Sequence, residues 1–170
     1  MLKTTVEQAL NKQINGELYS AYLYLAMSTH LQSLNYIGGA SWFRVQAQEE
    51  MSHVMKLYDY VMERGGKAEL TAIEAPPAEW ESPLAAFEAA YQHELHVSGL
   101  INKLVDLAIK ESDHATNNML QWFVAEQVEE EASANEIVQK LKLAGNDGGG
   151  LLIIDQELAG RTLTLPAAEA

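Results

Sequence analysis

Side chains that can bind metal interrupt rows that should be apolar. Glu17, Glu94 and Glu130 each fall in an apolar row with 3–4-residue spacing, and Glu50 and His53 do so together as a Glu-x-x-His pair. A row with this spacing faces the core of a helical bundle. For any single glutamate, a solvent-facing position explains the pattern as well. Four such glutamates beside an imidazole favour a buried cluster.

A buried cluster of this kind needs positive charge. Each buried carboxylate without a partner costs several kcal/mol, so four could cancel the ~5–15 kcal/mol by which a domain is stable. Two divalent cations would balance four carboxylates. Oxygen ligands with one imidazole suit Fe²⁺, with Mn²⁺ or Zn²⁺ as alternatives. The spacing therefore predicts a two-metal site.

Four long helices must position these side chains, which makes the predicted fold all-α. A T-x-x-E capping box, Thr4 to Glu7, is expected to open the first helix, and Ser82 and Asp113 are expected to cap the third and fourth. Gly65 and the residue after it end the second. The predicted bounds are about 4–34, 36–64, 82–112 and 113–144.

The segments outside these helices suggest how the bundle is connected. Residues 67–81 contain two adjacent prolines, and so long a connection fits a crossover that makes the second and third helices parallel. A glycine hinge at 148–150 is expected before a short apolar fifth helix at about 151–159, which should pack against neighbouring subunits. We expect one domain over 1–170, with the bundle at about 4–144.

Composition limits the possible partners. The net charge is −13, from 24 acidic and 11 basic residues. This acidity can simply provide solubility, but it disfavours nucleic acid and anionic lipid. No stretch approaches 18 apolar residues, and the N-terminal residues lack the apolar run of a signal peptide. The absence of cysteine excludes thiolate metal sites and suits a reducing cytosol, so a cytoplasmic location is expected.

Four longer stretches carry a family resemblance. Di-iron bundles commonly supply one Glu from each of two helices and Glu-x-x-His from each of the other two. This chain has Gln127-x-x-Glu130 in place of the second Glu-x-x-His. The sequence resembles bacterial non-haem ferritins over nearly its whole length, most specifically in residues 13–20, 47–53, 120–131 and 150–158.

The resemblance implies a residue-by-residue assignment. Site A would consist of Glu17, Glu50 and His53. Site B would share Glu50 as a bridge and add Glu94 and Glu130. Two further residues would lie beside the irons: Gln127 next to the ligands and Tyr24 as a possible electron donor. A third iron site would use Glu49, Glu126 and Glu129 and share Glu130, although a solvated acidic face is the alternative reading of these three.

The same resemblance implies a function. It predicts an iron storage protein with ferroxidase activity, which oxidises Fe²⁺ with O₂ or H₂O₂ and deposits hydrated ferric oxide inside a twenty-four-subunit homo-oligomeric cage. Asn117 and Leu120 depart from the carboxylates that line access channels in animal ferritins, and Asp113 and His114 are candidates to replace them.

Two histidine patterns resemble ligands without being expected to bind metal. Glu111-x-x-His114 is interpreted as a surface pair at a helix junction. His93 and His96 flank Glu94 but project away from it on the helix, so surface or subunit contacts are expected for both.

Three alternatives remain at this stage. Met51 follows Glu50 as a haem-binding methionine does in bacterioferritins, although haem is not expected without the second Glu-x-x-His. A different enzyme on the same bundle is the second alternative; a peroxidase resembling rubrerythrin would typically show two Glu-x-x-His motifs and a cysteine-ligated iron, and this chain has neither. A non-catalytic cage with a degenerate site is disfavoured by the intact set of four glutamates and one histidine.

Overall fold

The computed structural model describes residues 2–163, and within that range it contains five α-helices and no strand. The predicted all-α class is therefore confirmed. The predicted domain includes residues 1 and 164–170, which lie outside the described part. None of the helices in this range is long and apolar enough to cross a membrane. The helices are α1 (Thr4–Ser33), α2 (Ile37–Glu63), α3 (Pro83–Lys110), α4 (His114–Ala144) and α5 (Gly148–Leu158).

Side-chain caps fix the starts of α3 and α4. The Ser82 hydroxyl accepts a hydrogen bond from Ala85 N at 3.1 Å, and an Asp113 oxygen accepts one from Thr116 N at 3.1 Å. Each bond satisfies an amide that has no partner within its own helix. The expected capping box at Thr4 is wrong: Thr4 is already helical and no side chain caps α1.

The residue expected to complete that box instead anchors the crossover. The Glu7 carboxylate accepts a hydrogen bond from Lys67 N at 2.8 Å. Further along α1, Asn11 exchanges hydrogen bonds of 2.9 Å with the backbone of residues 67 and 69. Near the end of α1, His30 Nε2 accepts from Trp80 N at 3.3 Å. The connection thus runs along the length of α1, which leaves α2 and α3 parallel as predicted.

Two apolar cores fill opposite ends of the bundle. One surrounds Phe43 and Phe87, whose ring centroids are 4.6 Å apart. The other surrounds Leu10 and Phe123. Between the two cores lies a layer of buried polar side chains. The four glutamates identified from the sequence belong to this layer, so the fold isolates them from bulk water.

The fifth helix starts earlier than expected. The predicted hinge at 148–150 is its first turn, because an Asp147 oxygen accepts a hydrogen bond from Gly150 N at 2.8 Å and caps it. Ile154 and Leu158 are buried against the bundle. At Gly38 the approach is so close that an added methyl would lie 1.7 Å from the Asp155 carbonyl oxygen. Packing of this helix on neighbouring subunits stays a prediction.

Candidate metal centre

All four helices of the bundle contribute to the polar layer. Its acidic and imidazole members are at most 5% exposed: Glu17 on α1, Glu50 and His53 on α2, Glu94 on α3 and Glu130 on α4. Each lies on the inward-facing stripe of its helix, as the spacing predicted. The helices therefore bring the predicted di-iron ligands into one layer.

The tightest cluster matches the predicted site A. Ligand atoms of Glu17, Glu50 and His53 lie within 4.8 Å of one another. His53 Nδ1 lies 3.3 Å from Glu50 Oε2. The second oxygen of Glu17 is buried without a hydrogen-bond partner. An orphaned buried oxygen is costly, and a divalent cation bound by these three residues would satisfy it.

The predicted site B is less closely assembled. A second group with ligand atoms within 4.8 Å of one another joins Glu130 to His53 and to Glu126, the third-site residue that was expected to share Glu130. Within residues 2–163, Glu94 belongs to neither of the two clusters that meet this distance. Its charge nevertheless contributes to raising the pKa of both Glu50 and Glu130, and all three carboxylates are buried.

Burial dominates the electrostatics of the layer. It raises the pKa of Glu17 from 4.5 to about 8, with the Glu50 charge as the next cause. It raises the pKa of Glu130 to about 7, with Glu94 next. Burial also raises the pKa of Glu50 and of Glu94. Because desolvation disfavours the charged form, the metal-free layer holds protons that a bound cation would displace.

Neutral donors orient the carboxylates. Gln13 Nε2 donates to Glu17 Oε1 at 2.8 Å. Gln46 Nε2 donates to Glu130 Oε2 at 2.7 Å and to Glu50 Oε1 at 3.3 Å. These two glutamines were not predicted as site residues. A signal was present, because each precedes a ligand by four residues and so shares its helix face.

Glu94 has two orienting partners, and both were predicted to lie beside the centre. The Tyr24 hydroxyl donates to Glu94 Oε1, and Gln127 Nε2 donates to Glu94 Oε2 at 3.1 Å. Burial, followed by the Glu94 charge, raises the pKa of Tyr24 above 10. A phenol held in its protonated form is a stable donor to this carboxylate.

The predicted third-site residues are spread out. Glu49 is 14% exposed in its side chain and forms an ion pair with Arg161. Glu126 is half-buried, whereas Glu129 is exposed. Over residues 2–163, these three glutamates do not share a cluster with ligand atoms within 4.8 Å. The Glu49 charge is the smallest of the causes named for the shifted pKa of Glu130, which burial raises most.

Of the two roles expected for His93, the surface role is wrong and the subunit contact stays a prediction. Its ring is half-buried between α1 and α3, with Nε2 2.7 Å from Ser20 Oγ and an edge-to-face contact with Tyr24 at 5.8 Å between centroids. Burial and the charge of His96 lower the pKa of His93 to about 4. His93 therefore supports Tyr24 as a neutral ring, while His96 is exposed.

Asp113 is unavailable as a channel carboxylate. It is 9% exposed, caps α4, and accepts hydrogen bonds of 3.1 and 3.2 Å from Arg64. Leu120 occupies a position that was expected to differ from the channel carboxylates of animal ferritins. It is fully buried in the apolar core around Leu10 and Phe123. Glu111 and His114 lie at the predicted helix junction, where Glu111 pairs with Lys3 at 3.2 Å.

Comparison with known sequences decides the family. The sequence pattern of the ferritin-like domain matches residues 7–144. The chain belongs to the ferritin family. A bacterial non-heme ferritin of Bacteroides fragilis is 44% identical over 161 residues, covering 95% of this chain and 100% of that protein. A bacterial non-heme ferritin of Escherichia coli is 42% identical over 159 residues, covering 94% and 96%.

Solved structures agree with the ferritin assignment. An open-pore ferritin from the archaeon Archaeoglobus fulgidus is 54% identical and superposes with a TM-score of 0.95. The comparison covers 95% of this chain and 100% of that one. The predicted resemblance to non-haem ferritins and the four-helix ferritin-like architecture with a short fifth helix are thereby confirmed.

Proposed function

We propose that this ferritin stores iron and is a ferroxidase that oxidises Fe²⁺ at a di-iron centre within each subunit. The observation that carries the proposal is the layer of four buried glutamates and one histidine between two apolar cores, with an unpartnered oxygen on Glu17. The bacterial relatives named as non-heme ferritins support the same function. Haem-based chemistry has no comparable support.

Iron is the substrate of the proposed reaction. Two Fe²⁺ ions each lose one electron. O₂ takes up both electrons with two protons to form H₂O₂, or H₂O₂ takes them up with two protons to form two water molecules. The bound cations supply the redox chemistry, and the chain binds them close together in a dry, shaped site.

The side chains have distinct proposed roles. Glu17 and His53 bind one Fe²⁺, Glu94 and Glu130 bind the other, and Glu50 bridges them. The carboxylates release protons when iron arrives, because burial holds their pKa values above the ordinary range. The amides of Gln13, Gln46 and Gln127 hold the carboxylate oxygens in place. Tyr24 keeps Glu94 oriented and is the proposed electron donor.

Single substitutions test the centre. Glu50→Ala or His53→Ala should abolish the fast oxidation phase after an O₂ pulse, while the oligomer still assembles. Glu63→Ala, which removes an exposed carboxylate at the end of α2, is the matched control and should oxidise iron normally. An unchanged fast phase in Glu50→Ala would refute the di-iron assignment.

The third iron site is a separate part of the proposal. Glu49, Glu126 and Glu129, with a share in Glu130, would receive iron on its way to storage. Glu49→Ala or Glu126→Ala should leave the first fast oxidation intact but change the iron stoichiometry and the rate of the next round. Stopped-flow traces with repeated iron additions measure both. Loss of the first phase in these variants would show that the sites are wrongly divided.

The proposed assembly is a twenty-four-subunit cage that encloses hydrated ferric oxide. The ferritin structures that resemble this chain support it, as do Leu152 and Ile153, which are 58% and 66% exposed on α5. The cytoplasmic location that the cysteine-free sequence favours belongs to the same proposal.

A further inference from the structure

Arg161 reaches the metal centre from outside the four-helix bundle. It lies in the C-terminal arm, residues 159–163, which follows α5. Its guanidinium donates to Gln46 Oε1 at 2.6 Å, pairs with the Glu49 carboxylate, and lies 4.2 Å from the centroid of the Trp42 ring. Residues 42, 46 and 49 share one face of α2. The Arg161 side chain is only 20% exposed, so neighbouring residues cover most of its surface.

The contact with Gln46 connects Arg161 to the ligands. Because Gln46 Oε1 accepts from Arg161, its amide nitrogen faces Glu130 Oε2 at 2.7 Å and Glu50 Oε1 at 3.3 Å. The Arg161 guanidinium therefore holds Gln46, which orients the Glu130 and Glu50 carboxylates. The same guanidinium also neutralises the Glu49 carboxylate. One residue of the arm acts on both the proposed bridge and the proposed third site.

The contact with Glu49 has an electrostatic consequence. Glu49 is 14% exposed in its side chain, so its pairing with a guanidinium is only partly screened by water. A metal ion bound by Glu49 would lie next to the Arg161 charge and be repelled by it. Glu49 therefore cannot pair with the Arg161 guanidinium and bind a metal ion tightly at the same time.

We propose that Arg161 is a resident counter-ion of Glu49, and that a third metal ion fills its site only when the C-terminal arm releases this carboxylate. The inference rests on the proposed third site. Arg161 is a positioning residue in this scheme. It keeps the third site weak while iron is scarce, and occupation of that site frees the arm. By linkage, whatever loosens the arm strengthens metal binding at Glu49.

Zinc binding to the full-length metal-free protein tests the competition without oxidation chemistry. Arg161→Gln removes the charge but can still donate to Gln46, so calorimetry should show the weakest class of Zn²⁺ sites tightening by roughly three- to tenfold. Arg161→Lys keeps the charge and should remain close to the parent protein. Arg44→Gln removes an exposed arginine from α2 and is the matched control, with no change expected.

Fluorescence reports the release of the arm directly. With Trp80 and Trp122 both replaced by Phe, Trp42 is the remaining tryptophan of the sequence. Filling the weakest Zn²⁺ class should then change Trp42 emission, because the guanidinium leaves the ring. The same titration in an added Arg161→Gln background should show a much smaller change.

The possible results distinguish a failure of the role proposed for Arg161 from a failure of the proposed third iron site. If Glu129→Ala removes a weak Zn²⁺ class that Arg161→Gln leaves unaltered, the third site stands and the role of Arg161 is refuted. Equal tightening in Arg161→Gln and Arg161→Lys also refutes it, because lost packing would then be the cause. If neither the parent nor Arg161→Gln shows a class that depends on Glu129, the third site and this inference both fall.

Discussion

Replacing Glu17 by Gln should stabilise the metal-free protein at alkaline pH. Glu17 is 1% exposed, and one of its oxygens has no hydrogen-bond partner. Glutamine has nearly the same shape, and its oxygen can accept the hydrogen bond that Gln13 donates to Glu17 Oε1 at 2.8 Å. The substitution removes a buried charge while it preserves packing.

The sign of the pH dependence follows from the raised pKa of Glu17. The folded protein keeps this proton up to a pH of about 8, whereas the ordinary value is 4.5. Between these values the unfolded chain binds fewer protons, so the free energy of unfolding falls as the pH rises. The rise in the Glu17 pKa from 4.5 to about 8 corresponds to a loss of about 5 kcal/mol in the free energy of unfolding when the carboxyl is ionised. Relaxation and water penetration reduce such penalties, so we expect a gain of roughly 2–5 kcal/mol above pH 8.

Urea unfolding in the presence of a chelator measures this gain. The advantage of Glu17→Gln over the parent should be under about 1 kcal/mol at pH 5 and should grow to its full value by pH 9. Glu63→Gln, an exposed substitution on α2, should leave the pH profile of the parent unchanged. Added Zn²⁺ should stabilise the parent more than Glu17→Gln. If the free energies of unfolding of Glu17→Gln and the parent differ by the same amount at pH 5 and at pH 9, the reasoning is refuted.

Three other predictions follow from contacts around the centre and at α5. Tyr24→Phe removes the donor to Glu94, so the fast oxidation phase in stopped-flow traces should slow by roughly three- to tenfold without being lost; an unchanged rate contradicts this role. Gly38→Ala places a methyl 1.7 Å from the Asp155 carbonyl oxygen, so hydrogen exchange of 148–158 should accelerate; full protection contradicts it. Sedimentation at micromolar concentration should show a large oligomer, and a stable monomer contradicts the proposed cage.

Helix positions were predictable because local chemistry determines them. The side-chain caps at Ser82 and Asp113 placed the starts of α3 and α4 within one residue, and the glycines after α2 placed its end within one residue. The failed capping box at Thr4 has a tertiary cause, since Glu7 instead binds the amide of Lys67 in the crossover. A cap depends on local sequence only where no distant partner competes for the same side chain.

The polar layer was predictable for a different reason. Charged residues on an apolar helical stripe must be buried together, and the four helices aligned them. The neighbours of Glu94 show the limit of that argument. The angle between His93 and Glu94 on α3 indicated that His93 points away from the ligands, but it did not reveal that α1 covers His93.

Arg161 could not be predicted from periodicity. It lies 115 residues from Gln46 and 112 from Glu49, in an arm without helical spacing. Only the docking of α5 on the bundle, where Asp155 Oδ1 accepts a hydrogen bond from Gly39 N at 2.9 Å, brings the arm to α2. Contacts of this kind depend on the tertiary structure as a whole.

The buried glutamates and His53 are expected to bind a pair of Fe²⁺ ions that react together. An anaerobic Fe²⁺ titration of the parent protein, with an O₂ pulse at each ratio, tests this most directly. The amplitude of the fast phase should rise with added iron and saturate near two Fe²⁺ per subunit, or about three if the third site also fills. An amplitude that saturates at one Fe²⁺ per subunit, or that rises without saturation, would contradict a paired-iron centre.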